Sequence, residues 1–491
     1  MRRRVLVLGL LGLLGVSGVV SGGSAATQTG AIGSVAARQS AAGSWGVAVK
    51  VPGTATLNRG GNAALNSVSC AAAGNCAAGG RYKDGSGHFQ AFVVSETNGS
   101  WGQASKVPGT ATLNSGGNAV VNSVSCGAVG DCAAGGRYKD GSGHFQAFVV
   151  SQTNGVWGHA INVPGMATLN KGIAEVNSVS CGAPGDCAAG GRYSTTPGGV
   201  QHYQAFVVSE TNGTWGNAVK VPGTATLNHG NANVNSISCA TAGNCAAGGY
   251  YKEAPGVYRP FVVGETNGSW GVAVEVPGMA TLNHGGFAEV NSVSCGAAGD
   301  CAAGGMYTGV ALSRQAFVVS ETNGVWSSAI RVPGMAKLNT AGWDGVYSVS
   351  CGVAGNCAAG GAYRDHSGYD HDQAFVVRET NGVWGQAINV PGLATLNKGS
   401  ASLYSVSCDA AGDCAAGGKY ENGSGHQQAF VVREANGNWG IAVKVPGTAT
   451  LNSGGDAAVY SVSCAAARKC AAGGYYRDGS QHTQAFVVSF K

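Results

Sequence analysis

Residues 365 to 372 hold the densest set of groups able to do chemistry: Asp365, His366, Asp370, His371 and Asp372, two imidazoles and three carboxyls within eight residues. Imidazole and carboxylate at this spacing can ligate a divalent cation or exchange protons near neutral pH, and the same composition also makes a solvated polar turn. Trp343 and Asp344, a short way upstream, share the feature that singles these residues out: they occur once, whereas most polar groups of the chain recur in register. These seven residues are the candidate binding positions. A catalytic centre needs one convergent constellation, and no G-x-S-x-G elbow, H-E-x-x-H helix or phosphate loop is found. The sequence therefore assigns no catalytic residue, no metal ligand and no cofactor. Loops of the Asp-Gly-Ser-Gly-His type, Asp84 to His88 and Asp140 to His144, carry oxygen ligands but lack the acid-rich spacing of a calcium loop.

The second reactive group is sulfur. Sixteen Cys form eight C-x5-C pairs with none left over: Cys70 and Cys76, Cys126 and Cys132, Cys181 and Cys187, Cys239 and Cys245, Cys295 and Cys301, Cys351 and Cys357, Cys408 and Cys414, Cys464 and Cys470. Structural zinc sites want closer pairs and four ligands each, and a redox thiol carries no such signature. An even count in an exported chain reads as disulfides, each closing a hairpin and contributing roughly 2 kcal/mol in the chain-entropy model.

The elements that must hold these residues follow from the spacing of the first Cys of each pair, which returns every 55 to 58 residues. The shared unit reads W-G-x-A-x-x-V-P-G-x-A-x-L-N, a variable stretch, S-V-S-C-x5-C-A-A-G-G-x-Y, a second variable stretch, and A-F-V-V-x-E-T-N-G. Each unit offers four runs of strand character and no window of helical period. In the second unit these are Val121 to Cys126, Cys132 to Tyr138, Phe145 to Thr153 and Trp157 to Val163, taken as strands a, b, c and d. Asn154-Gly155 between c and d is a two-residue hairpin signal. Strand c is apolar on both faces and so must be covered on both.

Units of this length that need cover from their neighbours fit the blades of a β-propeller. The region opens with a lone d strand, Trp45 to Val51, and ends after strand c, Ala485 to Ser489, so the first d strand can complete the last blade. The fold class is thus all-β: an eight-bladed propeller of four-stranded repeats of ~56 residues, closed by the N-terminal d strand. An open solenoid would leave two sheet edges exposed and would not explain the circular phase. In such blades the a–b and c–d connections share one face, where the sequence is constant. The d–a and b–c connections share the other, where it varies and where nine of the ten His fall. Recognition is expected on this variable face. The equivalent Tyr and Trp of each unit read as packing between blades. On the presumed inner strand Asn66, Asn122, Asn177, Asn235 and Asn291 give way to Tyr347, Tyr404 and Tyr460, a lopsided channel lining that suits one off-centre ligand.

Composition narrows the class further. With 84 Gly in 491 residues and 11% charged side chains, a helix-rich enzyme or coiled coil is excluded. Arg2 to Arg4, the apolar run Val5 to Val20 and Ser24-Ala25-Ala26 form a signal peptide, residues 1–26, and the apolar run is too short to span a bilayer. A flexible linker, 27–44, precedes the propeller, 45–491. Without the three Arg of the leader, 26 basic residues face 24 acidic ones, which excludes a nucleic-acid partner.

The motif Ser-Val-Ser-Cys followed by Cys-Ala-Ala-Gly-Gly, as at Ser123 to Cys126 and Cys132 to Gly136, resembles repeats in secreted actinobacterial proteins of β-propeller type, mostly without an assigned function. The similarity spans Trp45 to Ser489, implies the propeller architecture and carries no catalytic residue with it. The expectation is a secreted, monomeric binding or interaction module for a glycan or an extracellular protein, with no membrane span in the mature chain. The rival readings are an extracellular hydrolase or lyase acting on the variable face, and a structural envelope protein.

Overall fold

The computed structural model describes residues 44–196, 202–365, 371–467 and 469–490. The expected signal peptide, and the expected linker apart from Ser44, lie outside the described residues. From Trp45 onward the chain is an eight-bladed β-propeller of antiparallel blades.

The second blade shows how the unit is made. Strand a is Val120–Ala128, strand b Asp131–Lys139 and strand c Phe145–Thr153. Cys126 and Cys132 are directly opposed in the a–b pairing, and their disulfide holds the two Cα atoms 3.9 Å apart. All eight expected disulfides are formed and no cysteine is free. Asn154 and Gly155 take φ of 50° and 81°, the left-handed pair that a tight hairpin requires.

Two expectations need correction. Strand d is not continuous from Trp157 to Val163: it consists of Val156–Trp157 and Ile161–Asn162, both paired with strand c. Between them the Ala160 N–H turns away from strand c and donates to Pro108 O of the preceding blade at 2.8 Å. The d–a stretch also contains a helix, one turn long, Met166–Leu169, which four residues are too few to announce by period. Its counterpart Thr110–Leu113 follows Gly109 at φ 81°, and the Thr110 hydroxyl donates to Val107 O at 2.6 Å.

Each blade binds the next through its innermost strand. Val124 N–H and Cys126 N–H donate to the hydroxyls of Ser67 and Ser69 of the preceding blade, both at 3.0 Å. The pattern closes the ring: Val68 N–H and Cys70 N–H donate to Ser461 and Ser463 at 3.0 and 2.9 Å. The expected closure by the first strand is also present, Val49–Lys50 pairing with Val487 and Phe486, and the Trp45 and Phe490 rings meet edge-on at 5.4 Å.

The core lies between blades, where apolar residues of one sheet pack on the next; Ala133, Ala147 and Val149 thus contact Val176, Val179 and Phe206. The eight equivalent Tyr are buried in these clusters, which makes them packing residues. The Gly-Gly of strand b allows the approach. A Cβ on Gly135 would stand 2.6 Å from Val176 Cγ1 of the next blade, and one on Gly136 would overlap Val120 O of its own strand a. Overpacking at such sites costs about 1–3 kcal/mol. We expect Gly136→Ala to lower the denaturant midpoint accordingly, whereas Val129→Ala, on the exposed a–b turn, stays within about 0.5 kcal/mol of wild type; equal midpoints would contradict the close-approach account.

Candidate functional site

Strands a and b of the sixth blade, Asp344–Val353 and Asn356–Arg364, and strand c, Asp372–Thr380, bring part of the unique set together. Arg364 is the hub. Its N–H donates to Trp343 O at 2.8 Å, its guanidinium lies 5.5 Å from the Trp343 ring centre, and its Nε donates to Asp372 Oδ1 at 3.2 Å. Asp365 and His371 close the base of the loop through Asp365 N–H to His371 O at 3.4 Å. His366 and Asp370 lie outside the described residues. Among the described residues no three His, Cys, Asp or Glu side chains come together as a metal cluster.

Asp344 goes elsewhere. It is fully buried between the fifth and sixth blades, at the position that Ala63, Ala119, Ala174, Ala232, Ala288, Ala401 and Ala457 occupy in the others. Ala316 N–H donates to Oδ1 and the Asn339 amide to Oδ2, and Arg331 stands 3.8 Å away. Loss of water pushes its carboxyl up to about 6, against the opposing pull of those donors. Its sequence neighbour Trp343 therefore belongs to the rim, while Asp344 belongs to the inter-blade core.

Trp343 begins a chain of aromatic rings that passes through Tyr347, Tyr404 and Tyr460 on the inner strands of three consecutive blades and ends at Tyr475 on strand b of the eighth. Its ring lies 6.4 Å from Tyr347, which stacks on Tyr404 at 6.4 Å and 25°; Tyr404 meets Tyr460 at 5.9 Å and Tyr460 meets Tyr475 at 5.1 Å. Tyr460 is 39% exposed and the others are half-buried. Burial lifts the phenols of Tyr347, Tyr404, Tyr460 and Tyr475 above the ordinary tyrosine range, so all four remain neutral. The Tyr475 hydroxyl donates to Asp456 at 2.8 Å.

The other side of the ring differs. Asn66, Asn122, Asn235 and Asn291 donate their amides to backbone carbonyls of the next blade at 2.8 to 2.9 Å, so they are blade-to-blade ties. Arg81, Arg137 and Arg192 lie over Phe89, Phe145 and Tyr203 at 5.0, 4.8 and 4.5 Å, and Glu175 pairs with both Arg137 and Arg192 at 2.7 Å. One part of the rim thus carries arginines, two of them paired with Glu175, and blades six to eight carry the aromatic run.

The Asp-Gly-Ser-Gly-His loops are turns. Asp84 Oδ1 accepts from Ser86 N–H and His88 N–H at 2.9 and 3.0 Å, and Oδ2 from Gln90 at 2.8 Å. Sequence reasoning missed Arg364 and Tyr475. Both sit in strand b columns, and Tyr475 shares its column with Arg81, Arg137, Arg192, Tyr250, Met306, Ala362 and Lys419, a variation that reading the repeats column by column exposes.

No family model matches this chain, and no curated protein matches it. Solved structures similar to it include the β-propeller domain of the Trilobed protease from Pyrococcus furiosus, at 7% identity and a TM-score of 0.43 over 75% of this chain and 93% of that one. An ulvan lyase of polysaccharide lyase family PL25 has 9% identity and a TM-score of 0.40 over 73% and 90%. A subtype N11 neuraminidase-like protein of A/flat-faced bat/Peru/033/2010 has 13% identity and a TM-score of 0.37 over 82% and 96%. At these values none bears on activity.

The Asp344 carboxyl gives a pH test. Its folded value lies above the unfolded one near 4, so its contribution to stability is complete below about 4 and is lost as pH rises through 6. We expect Asp344→Ala, which restores the residue of the other blades, to flatten the fall in melting temperature between pH 4 and 7. An unchanged pH profile would contradict the burial assigned to this carboxyl.

Proposed function

We propose that the protein is an exported binding module that recognises a glycan over the aromatic half of its variable face. The observation that carries this reading is the unbroken run Trp343, Tyr347, Tyr404, Tyr460 and Tyr475 in blades six to eight; at the inner-strand position of Tyr347, Tyr404 and Tyr460 the other blades carry structural amides. Neutral phenols offer both a ring face for sugar C–H groups and a hydroxyl for sugar oxygens. Arg364, Asp372 and Asp456 border the rings with fixed charges. Export rests on the N-terminal leader and agrees with eight disulfides in a chain with no free cysteine.

A hydrolase using Asp344 as its acid is disfavoured, because that carboxyl is fully buried and committed to Ala316, Asn339 and Arg331. The test is binding of the oxidised protein to soluble glycans, cell-wall polysaccharides and peptidoglycan. Saturable binding to one glycan class is expected, falling at least tenfold in Tyr404→Ala with the melting temperature retained. Absence of binding across the panel, or binding indifferent to Tyr404→Ala, would overturn the reading and leave a protein partner or a structural role.

A further inference from the structure

On the opposite face, where the disulfide loops lie, four of the eight junctions between blades carry the same polar contact. A Ser at the end of strand c donates its hydroxyl to a buried Glu of the next blade and accepts from that blade's Trp indole N–H. Ser489, Glu96 and Trp101 form one such set, with O···O 2.6 Å and N···O 3.2 Å. Ser151, Glu210 and Trp215 form another at 2.5 and 3.0 Å, and Ser209, Glu265 and Trp270 a third at 2.6 and 3.0 Å. Ser320 bonds Glu379 and Trp384 in the same way.

Between the fourth and fifth blades the Ser is replaced by Gly264, while Glu321 and Trp326 are retained. Glu321 is only 8% exposed, and among the described residues its carboxyl has no hydrogen-bond donor. Burial and the nearby Asp300 push it up to about 7. A Cβ on Gly264 would meet nothing closer than Cys245 O at 4.0 Å, so the space the Ser side chain would fill is open. It belongs to a cavity of about 510 Å³ lined by Gly264, Glu321, Trp326, Val272, Val274 and Asn323, against about 350 and 270 Å³ for hollows at two other junctions. The volume lies within the usual range of small-molecule sites, roughly 300–1,000 Å³.

We propose that this cavity is a ligand site for a hydroxyl-bearing molecule, a hexose or similar polyol, whose hydroxyl takes the place of the missing Ser. The missing atom defines the chemistry. It must donate to a carboxylate and accept from an indole N–H at once, which a hydroxyl does and an ammonium group cannot. Val272, Val274 and the Trp326 ring supply the apolar wall that the C–H face of a sugar needs. The site lies on the face opposite the aromatic run and does not rest on the reading given for that run.

The test uses glucose, galactose, mannose, N-acetylglucosamine and glycerol as probes, with titration calorimetry and ligand-observed NMR on the oxidised protein. At least one probe is expected to bind saturably. Gly264→Ser, which rebuilds the contact found at four other junctions, should weaken that binding at least tenfold and raise the melting temperature. Glu321→Gln keeps the shape and removes the charged acceptor, and should also weaken binding, while Val129→Ala, on an exposed turn of the second blade, should leave it unchanged. The proposal is overturned if no probe binds, or if binding survives Gly264→Ser in a protein whose raised melting temperature shows that the Ser has entered the cavity.

Discussion

The inner edge of each blade sets the terms for everything else. Strand a pairs with strand b on one side only, and its other edge would present unpaired N–H groups to the centre of the ring. Two serines of the preceding blade accept from those groups, at 2.9 to 3.0 Å, in all eight blades. Side chains as short as Ser reach only if adjacent inner strands stand very close. That closeness is why the first Gly after Cys-Ala-Ala can carry no side chain where an aliphatic side chain of the next blade meets it; the second Gly is required by a carbonyl of its own strand a. The disulfide completes the same device at the end of the hairpin, joining the two strands at the residue whose N–H makes the outer Ser contact.

A ring held by repeated contacts spends most of its polar groups on itself. The Asn of the inner strand, the Ser of strands a and c, the buried Glu and the Asp of the b–c turns each have a recurring structural duty, so recurrence marks scaffold and departure marks the positions left free. The departures act in different ways. Replacing Asn by Tyr in three adjacent blades gives up amide ties and builds a run of rings. Replacing Ala by Asp at 344 adds a buried charge with its own donors, and nothing at the surface changes.

Much of this architecture was legible in the sequence because the repeat itself is the signal. The Cys ruler, the Asn-Gly turns and the circular phase of strand d lead to eight closed blades without any appeal to side-chain geometry. The broken strand d was not legible, since its break is set by the Ala160 N–H reaching Pro108 of the neighbouring blade, a contact between units rather than within one. The burial of Asp344 was not legible for a related reason. It adjoins a variable loop in sequence, but strand alternation turns its side chain inward beside Trp343, which faces the rim. The Gly264 departure was readable in principle, as Phe-Val-Val-Gly against Phe-Val-Val-Ser. Its meaning depends on which Glu of the next blade it faces, and that pairing exists only once the ring is closed.

How the other junctions accommodate change sharpens the contrast at Gly264. Where Arg378 stands in place of Ser, Glu434 remains as its ion-pair partner, and the buried charge is matched. Where Arg433 does so, the facing position is Phe490 and the guanidinium lies over its ring at 5.3 Å, so both sides have changed together. Where Gln152 replaces Glu, its amide donates to the Ser95 hydroxyl at 3.0 Å, reversing the direction of the bond. In each case side chains of the two blades still meet across the junction, although the indole N–H groups of Trp157, Trp439 and Trp45 there are buried without a partner among the described residues. At Gly264 only one side has changed: Glu321 keeps its place at 8% exposure with the Ser donor removed, and it lines the cavity left behind. The other irregular junctions keep a side-chain contact across the seam, whereas this one leaves a cavity in its place.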